Sequence, residues 1–350
     1  MTNRILPLVI LFFLPSPLAR SMPQSDATPA TIPTPDAIGS DTQERQFPKP
    51  TPRPLKPLPR ELTDLLNTAT PLNAQKTVYL AESRESILLH TQVACNECLL
   101  EMLCYNETAE KGHESLLWIR AQPKTIHMAL LATGAKPGTP VTFSPKFLAP
   151  TGPVVDIYLH WMDTKGKLQR QKAQTWMRRN VSRYYSASLE KPPEGVEFPH
   201  LELRYDPYNK EILWFGQMTD EQRAGLLKLS ESKNYKSAIQ QFFKESQPTP
   251  MDAEFVFTGS YHYTIEDTGQ KVYAADSGYV ICVANFAGAL IDVKEASSAD
   301  DGGQAYEAWP GRVPAQDTPV IVELIPRGPK AKPANQKEVL KATSPKTTSP

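Results

Sequence analysis

The chain is poor in the residues that most often build metal and redox centres: four cysteines and six histidines occur among 350 residues. It also lacks an excess of charge, because 38 basic and 38 acidic residues balance, and this balance gives no sign of a polyanionic partner such as a nucleic acid. Beyond the N-terminus no apolar stretch is long enough for a transmembrane helix, since the best candidate, Tyr279 to Val293, has fifteen residues and contains Asn285 and Asp292. We therefore expect neither nucleic-acid binding nor a membrane span in the mature chain.

The start of the chain has the pattern of a secretory signal. One cation, Arg4, precedes a ten-residue apolar run, Ile5 to Leu14, and Ala19 and Ser21 supply small residues before a cleavage site. The run is too short to span a bilayer. The sequence therefore predicts a signal peptide at residues 1–21 and export to the periplasm or the extracellular space.

Proline usage divides the rest of the chain. Ten prolines lie between Pro23 and Arg60, several of them alternating with cations, and this composition favours an extended polyproline II path without a core. Residues 327–350 carry six Lys or Arg, one Glu and four prolines. We expect a disordered linker at residues 22–61, a disordered basic tail at residues 327–350 and a folded domain at residues 62–326.

Strand patterns dominate the predicted domain. Val154 to Met162 alternates apolar and polar residues and is followed by a turn, which predicts a hairpin. A second hairpin is predicted from Glu254–Tyr263 into Lys271–Asn285, and a last strand at Thr318–Pro326. Strands joined by tight turns pair antiparallel, so we expect a mostly antiparallel sheet.

Helices are fewer. Pro123 to Thr133 begins with proline and is stopped by Gly134, which predicts a short helix. Thr219 and Gln222 form a capping box. A helical stripe follows at Tyr235, Ala238, Ile239, Phe242 and Phe243. We therefore predict an α+β fold: a mostly antiparallel sheet core with a short helix, and an insertion at residues 178–250 that contains a helical pair.

Three of the four cysteines lie in "ACNECLLEMLCYNETAEKGHESL". Cys95 and Cys98 have the spacing of half a zinc site, but the second half would need Cys104 and His113, whose spacing of eight residues is wider than usual. An iron–sulfur centre would need Cys282 as its fourth ligand, and the spacing matches neither ferredoxin pattern. No metal site is predicted from these residues.

Export favours a disulfide instead, because exported thiols meet an oxidising environment. A turn between Cys95 and Cys98 would bring those two together. In one continuous strand Cys95 and Cys104 would lie about 30 Å apart, so they can pair only if the chain reverses between them. Cys95, Cys98 and Cys104 are the disulfide candidates, and packing as buried thiols stays open for each, as it does for Cys282.

The triplet His113-Glu114-Ser115 has the residue types of a catalytic site without its arrangement, because neighbours in a strand point to opposite faces. A hydrolase would require these side chains to converge with His127, and a structural role for each histidine is the simpler interpretation. Trp161 is a core aromatic or part of an aromatic-lined groove. The candidate ligand-binding residues are thus His113, Glu114, His127 and Trp161, and no catalytic residue is predicted.

Several segments together resemble a known family. "LLEMLCYN", "GHESLLWI", "IHMALLATGAKPGTPV" and "VVDIYLHWMDTKGK", in this order, are similar to the YdjY-type domain of exported bacterial proteins. "FVFTGSYHY", the segment from "TGQKVY" to "KEASS" and "VPAQDTPVIVELIP" resemble the second half of the same family, so the likeness extends over most of residues 88–326.

The resemblance implies an exported domain without an established activity, and it brings no catalytic residues. Some members are labelled ferredoxin-like, which suggests redox chemistry. We favour an exported, non-enzymatic module without a cofactor that binds an envelope protein or a small ligand. The alternative is a redox or metal protein, with iron–sulfur or zinc bound by Cys95, Cys98, Cys104 and either His113 or Cys282.

Overall fold

The computed structural model describes residues 53–298 and 305–328. The predicted signal peptide, the predicted linker up to Pro52 and the C-terminal tail from Pro329 lie outside the described residues. Within them, no helix is both long enough and apolar enough to cross a membrane.

The described residues form eighteen strands and four α-helices. The strands are β1 (Thr70–Pro71), β2 (Val78–Leu80), β3 (Ile87–Val93), β4 (Met102–Asn106), β5 (Ser115–Ile119), β6 (Val155–Met162), β7 (Leu168–Lys172), β8 (Met177–Arg179), β9 (Tyr184–Ser188), β10 (Leu203–Asp206), β11 (Glu211–Phe215), β12 (Phe255–Phe257), β13 (His262–Thr264), β14 (Lys271–Tyr273), β15 (Tyr279–Cys282), β16 (Ile291–Val293), β17 (Tyr306–Ala308) and β18 (Pro319–Pro326). The helices are α1 (Arg60–Asp64), α2 (Pro123–Ala132), α3 (Asp220–Leu226) and α4 (Lys233–Glu245).

The main sheet has the strand order β12-β16-β15-β4-β5-β3-β18-β6-β7, and β1 and β2 extend it beside β3. Its strand pairs are antiparallel except β4–β5 and β15–β16, which are parallel. The predicted α+β class with a mostly antiparallel sheet is therefore confirmed. The hairpin of β6 and β7, the strand β18 and the short helix α2 lie where the sequence predicts them.

The main sheet curls until its first strand returns to the start of β6. Val256 in β12 bridges Val154, and the Phe257 N–H donates to the Pro153 carbonyl at 3.0 Å. The sheet thereby encloses its apolar face much as a barrel does. Alternation along β6 places four side chains in this core: Val155, Ile157, Leu159 and Trp161. Helix α2 adds Ile126, Ala129 and Leu130 to the same core.

The segment that precedes the main sheet covers part of its outer face. Leu62 and Leu66 pack on Leu88 and Ile321, and the Lys56 N–H donates to Gln92 Oε1 at 2.8 Å. Ordered contacts therefore begin upstream of residue 62, where the sequence predicts the domain to start. Composition alone suggested a linker because proline is frequent, but Leu55 and Leu58, which stand between the prolines, are half-buried against the fold.

The predicted insertion forms a unit with its own core. The two ends of the insertion lie side by side and are hydrogen-bonded to each other. The Arg179 N–H donates to Thr249 O at 2.8 Å, and the Met251 N–H donates to Met177 O at 3.2 Å. Helices α3 and α4 confirm the predicted helical pair, and the Thr219 capping box is formed as predicted. A three-stranded sheet, β10-β11-β9, packs with the helices and was not predicted.

The predicted hairpin of Glu254–Tyr263 with Lys271–Asn285 forms only near its turn. There β13 pairs with β14, with Tyr263 opposite Val272. The flanking strands separate, because β12 pairs with β16 while β15 lies between β4 and β16. The prediction of one continuous hairpin is therefore wrong, since β16 inserts between the two arms.

Candidate functional site

The structure does not gather the predicted His-Glu-Ser triplet into one site. The His113 side chain is 76% exposed, and its Nε2 lies 3.6 Å from Glu114 Oε2. Ser115 is buried at the first position of β5, and its Oγ has no hydrogen-bond partner among the described residues. A nucleophile and base must be within hydrogen-bond reach of one another, and this triplet offers no such pair.

Glu114 instead belongs to a half-buried charge cluster. Lys111 Nζ bonds to Glu114 Oε1 and, at 3.0 Å, to Glu101 Oε2. Burial raises the pKa of Glu101 and the Glu114 carboxylate adds to this, while Lys111 opposes it. Burial by itself would lower the pKa of Lys111, but its bonds to Glu114 and Glu101 outweigh burial and raise that pKa. The Lys111 ammonium thus bridges the carboxylates of Glu101, just before β4, and Glu114, just before β5.

Trp161 is a core residue. Its ring is buried and meets Trp176 edge to face, with 5.0 Å between the ring centroids. Its place on the enclosed face of β6 fits the core interpretation, and the ligand-binding role of Trp161 stays a prediction.

Cys95 and Cys98 form a disulfide across a turn, with their Cα atoms 6.3 Å apart. This is one of the pairings that the sequence left open, the one that a turn between Cys95 and Cys98 allows. Cys104 and Cys282 are free thiols, fully buried on β4 and β15, and burial raises the pKa of each. Cys104 is therefore a packing residue and not a disulfide partner. The ligand set of the metal alternative is not brought together, because two of its thiols bond each other and His113 faces solvent.

Two histidines that the sequence did not single out lie on the outer face of the main sheet. His160 Nε2 is 3.0 Å from Glu323 Oε2, and Arg170 binds the same oxygen at 3.0 Å. The hydrogen bond from His160 is the main reason that the pKa of Glu323 is lowered. His90 is buried, its Nε2 has no hydrogen-bond partner in the described ranges, and burial lowers its pKa to about 4. Both are held by the sheet and the segment above it, which fits a structural role.

His127 is the predicted ligand-binding residue with the most developed surroundings. The Tyr273 hydroxyl lies 2.7 Å from His127 Nδ1 and 2.9 Å from the Gly259 carbonyl. A carbonyl only accepts, so the hydroxyl donates to Gly259 and accepts from the Nδ1–H of His127. This fixes the tautomer of the imidazole and leaves a lone pair on Nε2. That nitrogen has no hydrogen-bond partner within residues 53–298 and 305–328.

The local backbone explains how these groups meet. His127 lies in the middle of α2, and its ring packs edge to face on Phe257 at 5.2 Å. After Phe257 the chain turns sharply through Gly259 and Ser260, which have φ of 82° and 56°. Gly259 lies so close to Pro137 that a Cβ there would approach the proline Cβ to 2.4 Å. Glycine is thus required at the point where the acceptor carbonyl is presented.

Burial is the main cause of a lowered pKa at His127, and the nearby His262 lowers it further. The His262 ring packs on Tyr273 at 4.9 Å between centroids. A histidine with a lowered pKa is neutral at pH 7, so the Nε2 of His127 is a hydrogen-bond acceptor there. We call His127, His262 and Tyr273 the His127 site.

The sequence model of the YdjY domain matches residues 78–184. Within these residues the chain is similar to the YdjY domain. The match contains His127, His113, Glu114, Trp161 and the three clustered cysteines. It ends before the second half over which the sequence resembles the same family. No curated protein and no solved structure shows significant similarity to the chain.

The His127 site is completed from outside the matched YdjY domain. Tyr273 and His262 lie on the β13–β14 hairpin, far along the chain from α2. Sequence reasoning missed both, because no local pattern shows which tyrosine reaches a histidine 146 residues away. The sequence does contain one signal for His262. It alternates with Tyr261 and Tyr263, and this alternation places it on the opposite face of the strand from the two tyrosines.

Exposed apolar side chains flank His127 on its own helix. Met128 is 58% exposed and Leu131 is 38% exposed. Together with Lys124 and His127 they form the outward stripe of α2, at the spacing of one helix face. Beside the exposed Met128 and Leu131, helix α2 thus carries an oriented imidazole whose Nε2 is unpaired among the described residues.

Proposed function

We propose that the chain is an exported, non-enzymatic binding module that engages an envelope protein or a small ligand through the His127 site. The observation that carries this proposal is the Nε2 of His127, which is unpaired among the described residues while Tyr273 and Gly259 hold the ring. A few oriented polar atoms within an apolar surface are the usual composition of a ligand site.

The chemistry of the site defines the ligand group that it would accept. Neutral His127 offers a lone pair, so the ligand would donate a hydroxyl or an amide N–H to Nε2. Met128 and Leu131 would contact an apolar part of the same ligand, and burial of that part would supply most of the affinity. Such a site orients a ligand and supplies no nucleophile, which supports a binding role.

A capture experiment tests the proposal. The mature chain, immobilised, is exposed to solubilised envelope fractions, and bound material is quantified by mass spectrometry. We expect His127→Leu to lose the bound component and Tyr273→Phe to weaken its retention, since the ring is then no longer oriented. His113→Leu is the matched control, because that histidine is more exposed and lies in a different cluster. Equal capture by all of these variants would contradict the proposal.

Export is tested separately. Mass spectrometry of the protein isolated from its native cell is expected to find a mature N-terminus at Met22, directly after the predicted cleavage site. An intact N-terminus at Met1 in the soluble cytosolic fraction would rule out the exported role while leaving the ligand assay unaffected.

A further inference from the structure

A short hairpin projects from the fold between Val141 and Pro150. These two residues are buried, whereas all of residues 142–149 are exposed. The ends of the projection are tied by a pair of backbone bonds, Thr142 N–H to Leu148 O at 3.2 Å and Leu148 N–H to Thr142 O at 2.9 Å. The projection is therefore a defined hairpin, which we call the 142–149 loop.

Three large apolar side chains of the 142–149 loop are exposed. Phe143 is 57% exposed, Phe147 41% and Leu148 51%. The two phenyl rings contact each other, with 6.1 Å between centroids, instead of turning into the core. Clusters of exposed large apolar residues in a water-soluble fold mark a surface that something else covers.

The charged residues of the loop and of the chain that flanks it are all basic. Residues 134–152 contain Lys136 and Lys146 and no Asp or Glu. The β13–β14 hairpin also exposes an apolar residue, Ile265, but its turn contains Glu266 and Asp267. Cations next to exposed phenylalanine and leucine are the combination that binds the interface of an anionic bilayer, because the rings enter the acyl boundary while the lysines meet the headgroups.

We propose that the 142–149 loop inserts into the headgroup region of an anionic lipid bilayer. Its residues are exposed without a break from 142 to 149, which suits a lipid surface that needs no complementary pocket, and Lys146 with the flanking Lys136 complements anionic headgroups. The proposal is independent of the ligand of the His127 site, because different residues carry it. Such a contact gives the domain, which the sequence predicts to be exported, a means of residing at a membrane surface.

Vesicle sedimentation tests the loop directly. The mature full chain is mixed with vesicles of phosphatidylglycerol and phosphatidylethanolamine, and with vesicles of phosphatidylcholine alone. We expect binding to the anionic vesicles that decreases at high salt, and a loss of about tenfold or more in the partition coefficient for Phe143→Ser combined with Phe147→Ser. Tyr184→Ser combined with Phe215→Ser is the matched control, since it removes another exposed ring pair, 5.0 Å between centroids, and should bind as the unaltered chain does.

A fluorescent probe locates the contact. An environment-sensitive dye attached at Ser144→Cys, which leaves both lysines in place, is expected to shift to the blue with anionic vesicles, whereas the dye at Asp267→Cys should not shift. Absence of vesicle binding would overturn the proposal. Unchanged binding of the double phenylalanine variant, or an unshifted dye at position 144, would also overturn it, because the binding would then belong to another part of the chain, such as the basic tail.

Discussion

Asp292 gives the most demanding test of the structure. It lies on β16, fully buried. Its Oδ1 accepts from the Val293 N–H at 2.8 Å and from Asn285 Nδ2 at 3.3 Å, while Oδ2 has no partner in the described part of the chain. Burial raises its pKa to about 8 although these hydrogen bonds oppose the shift. Folding at neutral pH therefore requires this carboxylate to take up a proton.

The cost of that proton follows from the two pKa values. The unfolded chain ionises Asp292 near pH 3.8 and the folded chain near pH 8. Burial of Asp292 therefore costs no ionisation free energy below pH 3.8. Above that pH the free energy of unfolding decreases as pH rises, and it levels off above about pH 8. At pH 7 the accumulated cost is about 4 kcal/mol, at about 1.4 kcal/mol for each pH unit. Asp292→Asn keeps the acceptor and removes the ionisation, so we expect it to increase the free energy of unfolding by about 2–4 kcal/mol at pH 7.

Urea denaturation followed by tryptophan fluorescence measures the effect. The difference between Asp292→Asn and the unaltered chain is expected to be small near pH 4 and to grow up to pH 8. Asp267→Asn, at an exposed hairpin turn, serves as the control that should show no such trend. A variant that is less stable at every pH, or a difference that does not change with pH, would refute the reasoning and mean that Asp292 is ionised in the folded chain.

Three further predictions follow from buried or bridged groups. In the unaltered chain the free energy of unfolding should fall by about 3 kcal/mol between pH 6.5 and pH 4, because burial lowers the pKa of His90 to about 4 and the unfolded chain binds the proton first. His90→Gln should abolish this decrease, and equal slopes of unfolding free energy against pH in the two proteins would contradict the prediction. Non-reducing peptide mapping should link Cys95 to Cys98, and Cys98→Ser should cost about 2 kcal/mol because the closed loop is short; a linkage to any other cysteine would be inconsistent with the fold. Lys111→Met should destabilise the chain by about 2–3 kcal/mol, and adding Glu101→Gln should recover part of that loss in a denaturation series; no recovery would argue against the bridge.

Local patterns in the sequence predicted what local interactions decide. The alternation along β6, the proline that begins α2 and the capping box at Thr219 are all confirmed, because each depends on residues within one or two turns of chain. The same alternation places Trp161 on the apolar face of β6, so the pattern favours a core role for this residue over a ligand-binding role.

Pairings between distant segments were not predictable from local patterns. β18 lies between β3 and β6, although more than 150 residues separate it from either in the sequence. The parallel pairs β4–β5 and β15–β16 break the antiparallel rule, since their connections are not tight turns. The composition of the segment did not reveal the leucines that attach it to the sheet. Composition is an average, which proline dominates there, whereas burial depends on single residues.

The candidate site shows the same division. His127 was selected from the sequence, whereas Tyr273, which orients it, was not. A histidine near an apolar helix face is an ordinary feature of many domains, and its significance arises only when a distant hydroxyl fixes its tautomer. The hydroxyl can do so because the turn at Gly259 supplies the carbonyl that accepts its hydrogen bond.

The extent of the YdjY match acquires a physical meaning from the strand order. Residues 78–184 contribute β2 to β8, but β3 and β6 do not touch each other in the sheet and are joined by β18. β4 likewise pairs with β15, which lies outside the match. The matched segment therefore cannot close its core alone, and the smallest unit that can present the His127 site must extend to β18. The insertion between Arg179 and Thr249 is different, because it has a separate core and leaves and rejoins the fold at neighbouring hydrogen-bonded residues. It adds surface to the domain without changing the sheet that positions His127.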